Sequence, residues 1–263
     1  MALDMEIGRG AAGSEPQRVT LNNYDEPDIG RHRLAEELAS GRPHQDLRDW
    51  LQMVDAIAEL RVLEGVDWEE NIGRITEMLH HTDGAPAVLF DSIPGYPAGC
   101  RLLVNAQGER SRLALTLGLP HTISVMSLMD EWERRMDSAM PIPPEMVATG
   151  PVMQNVLEGE AIDLWKFPTP KWHAEDGGRY IGTGDNVITR DPDDGSLNVG
   201  TYRVMIHDRR HTGLYISPGK GGRIHRDKYF ARGEDMPAVI VLGADPLLFL
   251  GGCLEIRPGL SEL

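Results

Sequence analysis

Cysteine is nearly absent: Cys100 and Cys253 are the only two in 263 residues, and they stand far apart. A disulfide framework is therefore excluded, and so is a zinc site built on a close cysteine pair. A reducing cytoplasm is the expected compartment. No apolar run approaches the ~18 residues of a membrane-spanning helix. The opening stretch MALDMEIGRGAAGSEPQR has no apolar core of the kind that marks a secretory leader, so export is not expected either. Basic residues are in deficit, with 26 Lys and Arg against 41 Asp and Glu and a formal charge of -15. Nucleic acid and anionic membranes both reward net positive charge, so neither is expected as a partner. The sequence also lacks internal repeats, low-complexity tracts and a GxGxxG fingerprint after a strand.

What is present is enough apolar material, 41% of the chain, for one large or two ordinary domains. Residues 1 to about 45, rich in Gly, Pro, Asn and acids, read as an irregular lead with a short helical stretch at Arg33 to Ala39. From Asp46 to Leu63, apolar residues recur at helical spacing, which predicts one amphipathic helix ending near Gly65. Asp67 and Glu70 resemble a capping box for a second helix through Ile72, Ile75, Met78 and Leu79. His80 and His81 then fall at its end, where a cation suits the helix dipole. Ala87 to Asp91 and Arg101 to Asn105 read as strands, and Ser127 to Met140 as a helix. Residues 46–140 are accordingly expected to form a small α/β domain. Proline-rich Met140 to Pro144 marks the boundary.

Beyond it the pattern changes to short strands between turns: Val152 to Leu157, Tyr180 to Thr189, Asn198 to His207, Gly213 to Ser217 and Ala238 to Leu242. Arg223 to Arg232 reads as a helix, and Leu247 to Leu250 as a short one. The expected class is α+β, with a β-barrel or split barrel over residues 145–263. The stretch Arg179 to Arg203 stands out within it. Its two β-branched runs joined through Asp193-Asp194-Gly195 predict a hairpin, because glycine accepts the positive φ of the turn. On the return strand, Asn198, Gly200 and Tyr202 share one face, and Thr201 and Arg203 share the other. A carboxamide and a guanidinium on one strand suit an anionic ligand, although an exposed polar hairpin would look the same.

Five ordered motifs add specificity: FPTPKWH at Phe167 to His173, RYIGTG at Arg179 to Gly184, NVGTYR at Asn198 to Arg203, HTGLYISPGKGGRIH at His211 to His225, and GADPLLFLGG at Gly243 to Gly252. Together they resemble the UbiD-like decarboxylases, over residues 46 to 263. The resemblance implies a split β-barrel binding prenylated FMN, with Mn²⁺ or Mg²⁺ at the flavin phosphate and K⁺ as a further ion. It implies that Asn198 and Glu262 are metal ligands, and that Arg203 faces the substrate as the catalytic arginine. It also points to Thr201 and Lys220 as flavin or phosphate contacts. The chain departs from the family at Gly221, where relatives often carry the histidine that completes the metal site. His225, four residues on and about one helical turn away, could replace it if the loop rearranges; otherwise the phosphate would rest on Lys220 and the amides around Gly221.

The implied reaction is reversible, non-oxidative decarboxylation of an aromatic, heteroaromatic or α,β-unsaturated acid. A flavin prenyltransferase would supply the cofactor, and the full-length form is expected to be a homo-oligomer. The family continues past the point where this chain stops, through an acidic pair and a C-terminal domain. This chain is thus expected to be the cofactor-binding part, as a truncation or a split subunit. A non-catalytic subunit that holds or matures prenylated FMN, and a generic flavin oxidoreductase, are the alternatives.

Overall fold

The computed structural model describes residues 29–254, apart from 139, 141 and 143. Contacts divide them into two compact units, one built from residues up to Asp130 with Phe167–Arg179, the other from Glu131–Lys166 and Tyr180 onward. The class is mixed α+β. No helix among the described residues is long and apolar enough to cross a membrane.

The first unit runs through α1 (Ile29–Leu38), α2 (Leu47–Ala56), β1 (Leu60–Glu64), α3 (Asn71–His80), β2 (Ala87–Asp91), β3 (Leu102–Val104), α4 (Arg110–Thr116) and the start of α5 (Val125–Ser138). Its sheet has the order β1-β2-β3, with β1 parallel and β3 antiparallel to β2. The short helix expected in the lead forms as α1, which buries Leu38 against Trp50 and Met53, while Arg31 pairs with Asp55. One expectation is corrected here. Asp46 to Leu63 is not one helix. Asp46 caps α2 by accepting the Arg48 and Asp49 N–H groups, but Ala58 takes a left-handed φ of 61° and the chain leaves as β1. Pairing of β1 with the buried β2 overrides the helical period. Finally, α4 escaped the sequence reading because its anchor is a buried arginine.

That anchor is Arg112, fully buried, whose guanidinium donates to the Ala106 and Ala85 carbonyls and to Glu59 Oε2 at 2.7 Å. Burial pulls its pKa down, and the Glu59 carboxylate opposes that pull. Removing one partner of such a pair strands the other charge. Glu59→Ala is therefore expected to destabilise the chain by about 3–5 kcal/mol, read as a lower urea midpoint. An unchanged midpoint would show that the two carbonyls suffice.

Part of the first unit is closed by the FPTPKWH segment. Gly73 of α3 lies so close to the Trp172 carbonyl that a Cβ there would sit 2.1 Å from its oxygen. That motif thus packs on a helix in this unit, together with the Ile72, Val88 and Phe90 core.

The second unit holds β4 (Arg179–Gly182), β5 (Asn186–Arg190), β6 (Leu197–Gly200), β7 (Arg203–Ile206), β8 (Thr212–Tyr215), α6 (Gly221–Ala231), β9 (Ala238–Val241) and α7 (Pro246–Gly251). The β5–β6 hairpin forms as its sequence predicts, with Arg190 opposite Leu197 and Gly195 at φ 78°. The return strand does not stay whole. It breaks at Thr201 and Tyr202, so that β6 belongs to a β6-β5-β9 sheet and β7 to a β4-β7-β8 sheet. Among the described residues these are two three-stranded sheets and no closed barrel. Val152 to Leu157 is not a strand either: it begins as a single 3-10 turn at Pro151–Met153 and all of it is exposed. A strand needs a hydrogen-bonded neighbour, and none of the described strands pairs with it.

Candidate functional site

Three glycines let one end of the second unit close tightly. Gly200 on β6 leaves room for the Tyr202 ring, which would lie 2.4 Å from any Cβ there. Gly222 packs against the same ring, and its N–H donates to the Tyr202 hydroxyl at 3.3 Å. The Asn198 Nδ2 donates to that hydroxyl at 3.3 Å as well. Asn198 Oδ1 is thereby turned toward Gly221, where a Cβ would sit 1.9 Å away. The buried Asn198 carboxamide and the first residue of α6 thus form one small site with Tyr202 as its clasp. Tyr202 was noted in the sequence only for sharing a face with Asn198.

The N-terminus of α6 opens beside it. Gly219 has a φ of 88°, Lys220 is extended, and the Lys220 carbonyl accepts from Arg223 and Ile224. The first amides of an eleven-residue helix thus face the Asn198 site with the partial positive charge of its dipole. Thr201 enters through its backbone, donating N–H to the Gly252 carbonyl at 3.3 Å.

Arg203 lies elsewhere in the unit. It is exposed on β7, opposite Tyr215, and lines a cavity of about 290 Å³ with Tyr180, Met205 and Leu214. The sequence placed Asn198 and Arg203 on opposite faces of one strand; in the structure they belong to different sheets. His225 does not replace the missing histidine. Its Nδ1 is 2.9 Å from Thr189 Oγ1 and its Nε2 is 3.5 Å from Asp191 Oδ2, so both nitrogens are committed to β5 and the turn after it. Burial lowers its pKa, with Asp191 opposing. Lys228 holds Asp191 at 2.5 Å and Asp193 at 3.0 Å, completing a structural cluster that ties α6 to the hairpin. Glu262 lies outside the described residues.

Two further residues escaped sequence reading. Asp185 and Asn186, just after Gly184, are buried, and among the described residues both Asp185 carboxyl oxygens and Asn186 Oδ1 have no hydrogen-bond partner. Asn186 Nδ2 donates to the Leu248 carbonyl at 3.2 Å, fixing β5 to α7. The sequence reading ran one strand through them, from Tyr180 to Thr189; the structure divides that stretch into β4 and β5 on different sheets, and nothing in the sequence signals the burial at the break.

An oxygen donor, a helix N-terminus and orphaned buried acceptors suit a phosphate-bearing, hydrogen-bonding ligand. A complete metal site is a different matter: no cluster of three His, Cys, Asp or Glu occurs among the described residues. These features give an α+β protein whose second unit carries a candidate anion site at the start of α6 and, apart from it, a cleft that holds Arg203.

Comparison with known proteins makes that class specific. Residues 57–132 match the 3-octaprenyl-4-hydroxybenzoate carboxy-lyase N-terminal domain, and residues 145–263 match the Rift-related domain of the same carboxy-lyase. The chain belongs to the UbiD-like family. It is 35% identical over 224 residues to a phenolic acid decarboxylase of Escherichia coli O157:H7, covering 82% of this chain and 46% of the relative. A pyrrole-2-carboxylic acid decarboxylase of Pseudomonas aeruginosa is 34% identical over 206 residues, covering 75% and 41%. Among solved structures, the closed form of the vanillic acid decarboxylase of Sedimentibacter hydroxybenzoicus superposes with a TM-score of 0.77 at 28% identity, covering 84% of this chain and 47% of that one. The UbiD-class enzyme HmfF of Pelotomaculum thermopropionicum, in complex with FMN, gives a TM-score of 0.72 at 25% identity, covering 83% and 47%. The chain spans about half the length of the relatives it matches.

Proposed function

We propose that this chain is the cofactor-binding part of a carboxy-lyase that decarboxylates an aromatic, heteroaromatic or α,β-unsaturated acid, using prenylated FMN held in the second unit. The observation that carries this reading is the joining of Asn198, Tyr202 and the α6 N-terminus into one anion-binding end. Relatives that decarboxylate phenolic and pyrrole acids, and a neighbour that binds FMN, supply the chemistry. The two sheets of this unit are read as the halves of a split barrel.

In this reading the α6 amides and Lys220 take the flavin phosphate, and Thr201 lines the path toward the ring. Asn198, with Glu262, would offer oxygen atoms to a Mn²⁺ or Mg²⁺ ion at that phosphate, hard ligands for hard cations. Gly221 contributes no donor, so the ion is held weakly. The cofactor, when bound, supplies the electron sink that no side chain provides for the charge left by departing CO₂. Arg203 does the remaining work assigned to this chain: its planar guanidinium fork grips the substrate carboxylate with two parallel hydrogen bonds.

The test is CO₂ release from a panel of aryl, heteroaryl and acrylic acids by the chain co-expressed with a flavin prenyltransferase, alone and with the C-terminal half of a relative. Release that appears with the supplied half supports the reading. Flavin retention with no release in either mixture would favour a non-catalytic prenylated-FMN carrier. NADH oxidation in place of CO₂ release would favour an oxidoreductase.

A further inference from the structure

The register of the β5–β6 hairpin places Thr189 directly opposite Asn198, so the two side chains stand as neighbours on one face of the sheet. Both reach α6. Asn198 meets it at Gly221, and Thr189 meets it at His225, whose Nδ1 is 2.9 Å from the Thr189 hydroxyl. Gly221 and His225 are four residues apart in one helix and therefore share a face, where such positions lie about 5–6 Å apart. A cross-strand pair offers nearly the same spacing, about 4.5–5.5 Å. The helix thus sits on the sheet by two matched points, one for each partner of a single cross-strand pair.

The two points differ in kind. At Gly221 the contact is a close approach with no room for a side chain, and it sets how near the helix comes. The hydrogen bond at His225 sets its rotation. That bond is buried, with Thr189 1% and His225 7% exposed, whereas those from Arg223 to the Ile216 carbonyl and from Lys228 to Asp191 are only partly buried. Its direction follows from the far side of the ring. The Asp191 carboxylate, 3.5 Å from Nε2, can only accept, and burial disfavours the imidazolium, so Nε2 carries the one proton and Nδ1 accepts from the Thr189 hydroxyl. Rotation of α6 has a consequence for ligands, because a helix N-terminus holds an anion through the directions of its first N–H groups.

We propose that His225 is a positioning residue for the phosphate site: its bond to Thr189 holds α6 at the rotation that aims the first amides of the helix at a ligand beside Asn198. This role rests on the reading of that end as the flavin-phosphate site, and adds to it the residue that sets its geometry from one helical turn away. His225 itself touches no ligand.

FMN and riboflavin are the probes, each followed by quenching of its fluorescence on titration with the 263-residue chain. They differ by the phosphate, so the ratio of their dissociation constants reads the phosphate site alone. The wild type is expected to bind FMN more tightly than riboflavin. Thr189→Val removes the hydroxyl with little change of size, and His225→Leu removes both ring nitrogens. Each is expected to weaken FMN binding on the order of tenfold, the scale of one lost hydrogen bond, while riboflavin binding changes by less than about twofold. The double variant should bind FMN no more weakly than the weaker single one, since both changes remove the same bond. His225→Asn can place an amide oxygen where Nδ1 now stands, and should recover most of the FMN affinity. Thr189→Val and His225→Asn carry the test if His225→Leu does not fold. Equal weakening of FMN and riboflavin in Thr189→Val would make the pair a general support of the unit, and wild-type affinity for FMN in that variant would detach the pair from the site; either result overturns this inference alone. A wild type that binds FMN no more tightly than riboflavin would overturn the phosphate reading, and the positioning role with it.

Discussion

In the chain complemented with the C-terminal half of a relative, replacing Arg203 by alanine is expected to lower CO₂ release from an aryl acid by a factor on the order of 1000, while FMN binding changes by less than about threefold. The size follows from losing a charge-stabilising donor at the reacting group, a loss of about 10²–10³ where such donors have been removed from other enzymes. The selectivity follows from position. Arg203 is exposed on β7 and belongs to the cleft with Tyr180, Met205 and Tyr215, whereas Asn198 and the α6 N-terminus stand on the other sheet. Arg203→Lys retains the charge but not the two-pronged geometry, and should recover only part of the loss. Joint loss of FMN binding and turnover would move Arg203 into the phosphate site, and unchanged turnover would remove it from the reaction.

Gly221→His is expected to tighten Mn²⁺ binding to the FMN-loaded chain by at least about tenfold, equivalent to ~1.4 kcal/mol. The imidazole would enter beside Asn198 Oδ1, where a donor is now lacking. Entry is not free of strain, since a Cβ at this position comes within 1.9 Å of that oxygen. Asn198 must swing, and its 3.3 Å bond to the Tyr202 hydroxyl must lengthen or break. Gly221→Ala carries the same crowding without the donor, so it should weaken FMN binding and gain no metal affinity. Electron paramagnetic resonance of free Mn²⁺ separates the two. A histidine variant that binds no more tightly than the alanine variant would show that the ion is not held at this position.

Much of the fold could be read from the chain because its strongest signals are local. Ala87 to Asp91 is a continuous apolar run and becomes the central strand β2; Asp193-Asp194-Gly195 makes the turn it promises. Failures occurred where long-range pairing decided the outcome. Leu60 to Glu64 has a helical period but lies beside β2, and pairing with that strand takes it out of the helix. Val152 to Leu157 has the residues of a strand but finds no partner among the described strands. The break between Gly200 and Arg203 carries no local signature beyond its glycine. For the site, the motifs brought attention to Asn198, Thr201, Arg203 and Lys220, and the structure puts Asn198 against Gly221. They could not separate Arg203 from Asn198 by sheet, nor show that His225 is already bound to Thr189 and Asp191. Asp185 was invisible because its chemistry lies in its burial, a tertiary property.

Asp185 leaves a mark on stability. Its folded pKa stands above the ordinary carboxyl value, so the contribution it makes is present at acid pH and lost as the pH rises through about 6. An Asp185→Asn protein should therefore gain on the wild type in thermal stability above that pH and not below pH ~4.

The most direct test of the central claim is native mass spectrometry of the chain after exchange into FMN. The account predicts one FMN per chain for the wild type, and its loss when Lys220→Glu is combined with Asn198→Leu, which remove the phosphate's cation and the carboxamide together. Arg203→Ala should keep its FMN. A wild-type chain that retains no FMN, or a double variant that retains it as well as the wild type, would contradict a flavin site at the start of α6.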